Sequence, residues 1–128
     1  MSKEKLYIFD TTLRDGAQTQ GVDFSIDDKE KISNSLDNLG VDYIEGGWPG
    51  ANPTDTEFFN KDHGFKNAKL TAFGMTKKSE HSAENDPMLA SLINSKSSSV
   101  CLFGKSWDFH VDVALGITNE ENLENISE

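Results

Sequence analysis

Apolar residues along the chain fall into two patterns that alternate. Short runs rich in β-forming residues are separated by longer stretches in which apolar residues recur every three or four positions, which is the spacing of a helix face. The short runs are predicted as strands at 6–9, 41–45, 70–75 and 98–103. Strands that alternate with helices in this way are typical of a parallel α/β sheet.

Capping residues predict where the intervening helices begin. The expected N-caps are Ser25, Asn52, Asp86 and Thr118. Asp28 stands three residues after the first of these caps, as in a capping box, and Gly40 stands where that helix should end. A further helix is predicted over 107–115, so each strand is followed by at least one helix.

The number of strands decides between two α/β architectures. A closed (β/α)8 barrel needs eight strands and about 250 residues, whereas this chain has 128 residues. A small doubly wound sheet often carries a Gly-x-Gly-x-x-Gly turn after its first strand, and that turn is missing from this position. The chain also ends inside a predicted helix. We therefore expect the N-terminal half of a (β/α)8 TIM barrel, with about four parallel strands, and we expect residues 1–128 to be a truncated part of one larger domain.

Composition narrows the classes of function. The chain has 12 Lys and Arg against 22 Asp and Glu, a net charge of −10 that disfavours binding to nucleic acid phosphates. No apolar run approaches the roughly 20 residues that span a bilayer, and the first residues do not resemble a secretory signal. The single cysteine, Cys101, excludes an internal disulfide and is predicted to be a small buried hydrophobe. We expect a cytoplasmic protein that acts on small molecules and binds neither nucleic acid nor membranes.

The densest polar segment, 10–18, directly follows the first predicted strand. In a (β/α)8 barrel the active site lies at the C-terminal ends of the strands, so Arg14 and Asp15 would face it. The carboxylate could hold a hard divalent cation, and the guanidinium could polarise a carbonyl or pair with a carboxylate. A surface salt bridge would explain the pair equally well, and the residues alone leave both interpretations open.

Three segments resemble a family of acyltransferases, the 2-isopropylmalate, homocitrate and citramalate synthases of the DRE-TIM metallolyase superfamily. LRDGAQ at 13–18, followed after ten residues by Lys29, is similar to the first signature of that family. YIEGGWPGANP at 43–53 and GKSWDFHV at 104–111 are similar to the second-strand and fourth-strand segments of the citramalate synthases. The resemblance covers about 6–126, nearly the whole chain.

The resemblance implies a TIM-barrel catalytic domain that performs a metal-dependent Claisen condensation. Acetyl-CoA and a 2-keto acid, pyruvate, would give citramalate and free CoA, a step of isoleucine biosynthesis. Asp15 would bind the metal, Mg2+ or Mn2+, and Arg14 would stabilise the negative charge that develops on the keto acid. Glu45 would be either an acid/base residue or a structural partner of Arg14, and the two interpretations are equally weighted.

The remaining expected contacts come from three further side chains. Gln18 would orient the first loop, Lys105 would meet a CoA phosphate or a substrate carboxylate, and His110 would be a polar contact in the site. A solvated lysine and a histidine that packs or caps a helix are the alternatives. Gly46 and Gly47 are interpreted either as positions where a substrate approaches the backbone or as plain turn residues.

Part of the family pattern has no counterpart in the chain. The family also uses a His-x-His pair on a later strand, and this sequence contains none. We therefore expect the later strands and a C-terminal regulatory domain to be absent, and the isolated polypeptide to be marginally stable, self-associating and nearly inactive. The complete enzyme would be a homodimer. The alternatives are a 2-isopropylmalate or homocitrate synthase fragment, a lyase of the same superfamily, and a non-catalytic half-barrel that pairs with itself.

Overall fold

The computed structural model describes residues 3–128 as strands that alternate with helices. The strands are β1 Phe9–Asp10, β2 Tyr43–Gly47, β3 Lys69–Met75 and β4 Ser99–Phe103. The helices are α1 Ile26–Leu39, α2 Pro53–Phe59, α3 Pro87–Asn94, α4 Asp108–His110 and α5 Asn119–Ser127. Met1 and Ser2, where the expectation about a secretory signal begins, lie outside the described residues.

The four strands form one parallel sheet in which their order in space is their order in the chain, β1-β2-β3-β4. The parallel α/β architecture predicted from the hydrophobic pattern is confirmed. Side chains alternate between the two faces of each strand, and the register sets Phe73 of β3 beside Cys101 of β4. The helices α1, α2 and α3 cover one face of the sheet. The side chains that point to the opposite face are not covered by these helices.

The helices begin at the predicted caps. The side chain of Ser25 accepts a hydrogen bond from the backbone N–H of Asp28, whose carboxylate accepts one from the backbone of Ser25, so the capping box is formed. At α2, α3 and α5 the cap side chain likewise accepts from the helix backbone, without the reciprocal bond, and these caps are Asn52, Asp86 and Thr118. The helix expected over 107–115 is different, because its α-helical part is only Asp108–His110 and a π-helical turn continues it to Leu115.

The first strand is shorter than predicted and displaced. Residues 6–9 were expected to form it, yet β1 is Phe9–Asp10, and Leu6 is 85% exposed. The carbonyl of Ile8 still accepts hydrogen bonds from Asp42 and Tyr43 at the start of β2. β1 lies at the edge of the sheet, so the apolar residues before Phe9 have a strand on one side only and gain little by pairing further.

The hydrophobic core lies between the sheet and its helices. Its buried apolar residues are Leu13, Val41, Ile44, Phe58, Phe59, Leu70, Ala72 and Leu92. Gly46 allows this packing, because a Cβ there would lie 2.8 Å from the Phe58 ring. None of the helices within residues 3–128 is long and apolar enough to cross a membrane.

Candidate active site

The loop after β1 is folded tightly enough to fix the direction of Arg14. The backbone N–H groups of Arg14, Asp15 and Gly16 all donate to the carbonyl of Thr11, at 2.8 to 3.2 Å. Leu13 is fully buried in the core immediately before them. Because one side of the loop is anchored and its backbone is bonded to itself, the next side chain leaves the loop in a defined direction.

Arg14 is held from three directions. Its Nε donates to Glu45 Oε2 of β2 at 2.7 Å, and its Nη1 donates to Asp15 Oδ1 at 3.2 Å. The guanidinium carbon lies 4.2 Å from the centre of the Phe73 ring on β3, a cation–π contact. Nη2 has no hydrogen-bond partner within residues 3–128, so part of the guanidinium remains available to an anionic ligand.

Glu45 is the buried member of this group. Its side chain is 1% exposed and bonds to Nε of Arg14. Of the two interpretations left open by the sequence, this geometry favours the structural partner, because an acid/base residue must reach a substrate proton. The carboxylate also affects a neighbour: burial first, and then Glu45, raises the pKa of the Cys101 thiol above its ordinary value.

Asp15 differs from Glu45 in that its carboxylate faces solvent, with 65% of the side chain exposed. A carboxylate oxygen is the donor that Mg2+ and Mn2+ prefer, so Asp15 fits a metal as one ligand. Throughout the described part of the chain, however, no group of three or more His, Cys, Asp or Glu side chains is placed to hold a metal ion. The residues present therefore account for one ligand of a metal site.

A cavity of about 390 Å³ lies beside Arg14. Its lining includes Arg14 and Gln18, and also Lys29, Trp48 and Asp55. Gln18 therefore borders the same cavity as Arg14, and its expected role in orienting the loop stays a prediction. The indole N–H of Trp48 is buried and has no hydrogen-bond partner among residues 3–128, and its ring meets Phe73 edge-on at 5.5 Å.

Lys105 and His110 do not line the cavity beside Arg14. The ammonium of Lys105 lies 5.2 Å from the centre of the Phe103 ring, and the imidazole of His110 packs against the Trp107 ring with centroids 4.5 Å apart. Their expected substrate contacts remain predictions. The aromatic packing of His110 corresponds to the alternative given for it.

One smaller expectation needs correction, and another is extended. Cys101 is half-buried rather than a buried core residue, because β4 turns it toward Glu45 on the face away from the helices. The two glycines after Glu45 have a further role that neither interpretation included, because the protein's own packing needs them, and substrate approach at this position stays a prediction. A Cβ on Gly46 would strike the core, and one on Gly47, whose φ is +143°, would lie 2.5 Å from the carboxylate carbon of Asp55.

Comparison with known proteins decides the family. The family model described as HMGL-like matches residues 5–128. The chain belongs to the HMGL-like family. Two solved structures share its fold: hydroxymethylglutaryl-CoA lyase from Pseudomonas aeruginosa superposes with a TM-score of 0.70 at 19% identity, covering 95% of this chain and 40% of that one. The HMG-CoA lyase of Bacillus subtilis gives 0.66 at 19% identity, covering 97% and 41%. The expected half of a (β/α)8 barrel is confirmed.

Several sequence relatives are more similar to this chain than these two structures are. The chain is 55% identical over 127 residues to the (R)-citramalate synthase of Aquifex aeolicus, with 98% of this chain and 24% of the relative covered. It is 48% identical over 128 residues to that of Geobacter sulfurreducens, with the same coverage. A 2-isopropylmalate synthase of Caldanaerobacter subterraneus is 35% identical over 129 residues, covering 100% and 32%. The predicted resemblance to citramalate synthases is confirmed, and the chain spans about a quarter of their length.

Proposed function

We propose that this chain forms the keto-acid-binding part of an (R)-citramalate synthase, which condenses acetyl-CoA with pyruvate. The single observation that carries the proposal is the arrangement of Arg14, held by Glu45 and Phe73 beside the exposed carboxylate of Asp15. The greater identity to citramalate synthases than to the 2-isopropylmalate synthase, 55% against 35%, supports pyruvate as the keto acid. The whole enzyme would be a cytoplasmic homodimer of isoleucine biosynthesis.

Arg14 would bind the α-keto acid and stabilise the charge that forms on it. When the acetyl carbanion attacks the keto carbon, negative charge develops on the keto oxygen. A guanidinium that is already fixed in place stabilises that charge without rearranging during the reaction. Glu45 and Phe73 supply this fixed orientation, so Glu45 acts on the reaction through Arg14 rather than as a proton donor.

Asp15 would provide one ligand to Mg2+ or Mn2+. Such a cation, when bound, acts as a Lewis acid toward a keto oxygen and orients the substrate. The other ligands would come from substrate, water and residues beyond this chain. Gln18 would hold the loop over the cavity, and Lys105 and His110 would contact acetyl-CoA or the keto acid at the end of β4.

A segment exchange tests this function. Residues 5–128 would replace the corresponding part of the Aquifex aeolicus relative, and CoA release from acetyl-CoA would be measured with Mg2+ or Mn2+. We expect release that depends on pyruvate and that falls at least about a hundredfold in Arg14→Ala, because removing a charge-stabilising donor typically costs this much. A folded chimera that releases no CoA would contradict the proposal and favour the non-catalytic half-barrel.

The second candidate is 2-isopropylmalate synthase, supported by 35% identity to that enzyme of Caldanaerobacter subterraneus. The Aquifex aeolicus part of the first chimera could impose its own substrate preference. Residues 5–128 would therefore also replace the corresponding part of the Caldanaerobacter subterraneus enzyme. The rate with pyruvate would then be compared with the rates with 2-oxoisovalerate and 2-oxoglutarate. A shift of this second chimera toward pyruvate supports citramalate synthase, and an unchanged preference for 2-oxoisovalerate supports the second candidate.

A further inference from the structure

Lys29 is a lysine in the interior of the protein, 2% exposed, on the face of α1 that meets the sheet. Its ammonium group donates to the carbonyl of Leu13 at 3.1 Å, to the carbonyl of Gly46 at 2.8 Å and to the carboxylate of Asp55. An ammonium has three N–H donors, so each of them has a partner inside the protein. Lys29 therefore has no donor left for a substrate.

The two carbonyls bound by Lys29 belong to the segments that carry the site. Leu13 directly precedes Arg14, and Gly46 directly follows Glu45. One ammonium group thus joins the loop after β1 to the end of β2, next to the two residues whose side chains bond at 2.7 Å. Displacing either carbonyl would change the separation between Arg14 and Glu45.

Asp55, the carboxylate partner of Lys29, also binds the segment that follows β2. Its second carboxylate oxygen accepts the backbone N–H of Trp48 at 2.9 Å and the side-chain amide of Asn52 at 3.0 Å. The end of β2 is shaped to admit this carboxylate, because the space that a side chain at residue 47 would fill is occupied by Asp55. The last residues of β2 are consequently tied to α2 as well as to α1.

A buried ion pair is weak evidence for a purely stabilising role. Taking two charges out of water offsets much of their attraction, and well-packed apolar residues in place of a buried pair are often as stable or more so. The bonds that an apolar pair could not reproduce are those to the backbone of Leu13, Gly46 and Trp48. These are the bonds that fix the Arg14 segment against the Glu45 segment.

We infer that Lys29 and Asp55 are positioning residues, which set the geometry of Arg14 and Glu45. Both border the cavity beside Arg14, but the three donors of Lys29 are used inside the protein and are not offered to a ligand. The consequence for catalysis rests on the proposed function. The consequence for geometry does not, because it concerns only where Glu45 lies relative to its neighbours. The two parts can therefore be measured separately.

The variant that separates geometry from stability is the double replacement Lys29→Met with Asp55→Leu. It removes both charges together and keeps apolar volume, so it avoids leaving an unpaired buried charge. The matched control is Lys31→Met, two residues away on the same helix, where the lysine forms an exposed pair with Asp27 at 3.0 Å. Thermal unfolding of the isolated chain and of the chimera identifies the variants that remain folded.

In the folded chimera we expect the double variant to lower kcat at least tenfold while the KM for acetyl-CoA changes less than threefold, and Lys31→Met to change neither. A second measurement needs no activity: the pH dependence of the reaction of Cys101, the only cysteine, with a thiol reagent in the isolated chain. If Glu45 moves away, the midpoint of that reaction shifts to lower pH.

The outcomes distinguish the two proposals. An unchanged kcat and an unchanged Cys101 midpoint in a folded double variant would overturn the inference and leave the proposed function intact. An unsubstituted chimera without activity would remove the proposed function, and the Cys101 midpoint would then decide the inference alone. Should the double variant not fold, the same two readings are taken on Asp55→Asn, which keeps the size of the side chain, with the same outcomes.

Discussion

The guanidinium carbon of Arg14 lies 4.2 Å from the centre of the Phe73 ring, so the loop after β1 meets a residue two strands away, on β3. Glu45 of β2, between them in the sheet, bonds to the same guanidinium. The side chain proposed to bind the keto acid is therefore held by two consecutive strands. Its orientation depends on the parallel pairing of the sheet as much as on its own loop.

Replacing Phe73 with leucine should weaken catalysis more than folding. Leucine keeps most of the apolar volume but lacks the negative ring face that attracts the guanidinium, an interaction of about 0.5 to 2 kcal/mol. We expect kcat/KM of the chimera for pyruvate to fall by about two- to thirtyfold. Phe65→Leu, which changes an aromatic contact with His63 instead, is the control and should leave kcat/KM unchanged. Equal losses in both variants would show that the Phe73 contact has no specific role.

Gly47 should tolerate no side chain. Its φ of +143° is unfavourable for other residues, and an added Cβ would collide with Asp55. We expect Gly47→Ala to lower the free energy of unfolding by about 2 to 4 kcal/mol. Gly64 has a φ of +60° with no atom near its missing Cβ, so Gly64→Ala should cost only about 1 kcal/mol. Urea unfolding monitored by circular dichroism measures both, and equal costs would contradict the proposed collision.

Protonation of the Asp37 carboxylate should make the protein less stable in acid. Burial by itself would raise the pKa of Asp37, but hydrogen bonds from the backbone N–H groups of Lys66, Ala68 and Asn67 lower it below its ordinary value of 3.8. The folded state therefore binds this proton less readily than the unfolded state. Its stabilising contribution is complete above the unfolded pKa and is lost as the pH falls through the folded pKa.

The measurement for Asp37 is the free energy of unfolding as a function of pH. We expect Asp37→Asn to be less stable than the wild type at neutral pH by about 1 to 2 kcal/mol, because the amide offers one acceptor oxygen instead of two. The difference should shrink as the pH falls below about 4. Asp27→Asn, at an exposed position on α1, is the control. A difference that stays constant down to low pH would contradict the explanation.

The isolated chain should self-associate through the free edge of β4. Leu102 on this strand is 55% exposed, and within the described residues no strand pairs with the far side of β4. Unpaired edges with apolar side chains favour association, and an edge lysine opposes it. Light scattering at rising protein concentration should show association that Leu102→Lys reduces. Leu39→Lys, at an exposed position on α1, should not reduce it, and an equal reduction would mean that added charge alone is responsible.

Local signals in the sequence predicted the boundaries of most elements. Ser25 with Asp28, and the capping residues before Pro53 and Pro87, act within one turn of a helix, so they can be interpreted without knowing the fold. β1 was misplaced because a strand at an edge ends where its partner stops pairing. That limit depends on the neighbouring strand and has no counterpart among the residues of β1 itself.

The site was predictable only in part, for the same reason. Arg14, Asp15 and Glu45 belong to segments that resemble a known family, and the structure brings them together. Phe73 and Cys101 reach this group through the register between β3 and β4, which the sequence does not reveal. The sequence offered one signal for Phe73, which is the alternation of side chains between the two faces of β3. This alternation places residue 73 on the face away from the helices.

The order of the strands in the sheet affects how the chain can fold while the ribosome is still synthesising it. Each strand lies beside the one synthesised just before it, so every new β/α unit can dock as soon as it leaves the exit tunnel, without waiting for a distant part of the polypeptide. Pairing between neighbours in sequence keeps the separation of the paired residues to one β/α unit, and domains generally fold as units beginning from the N-terminal side during synthesis. The arginine and its glutamate would accordingly be in register by the time the second unit has emerged, long before translation of a whole enzyme ends.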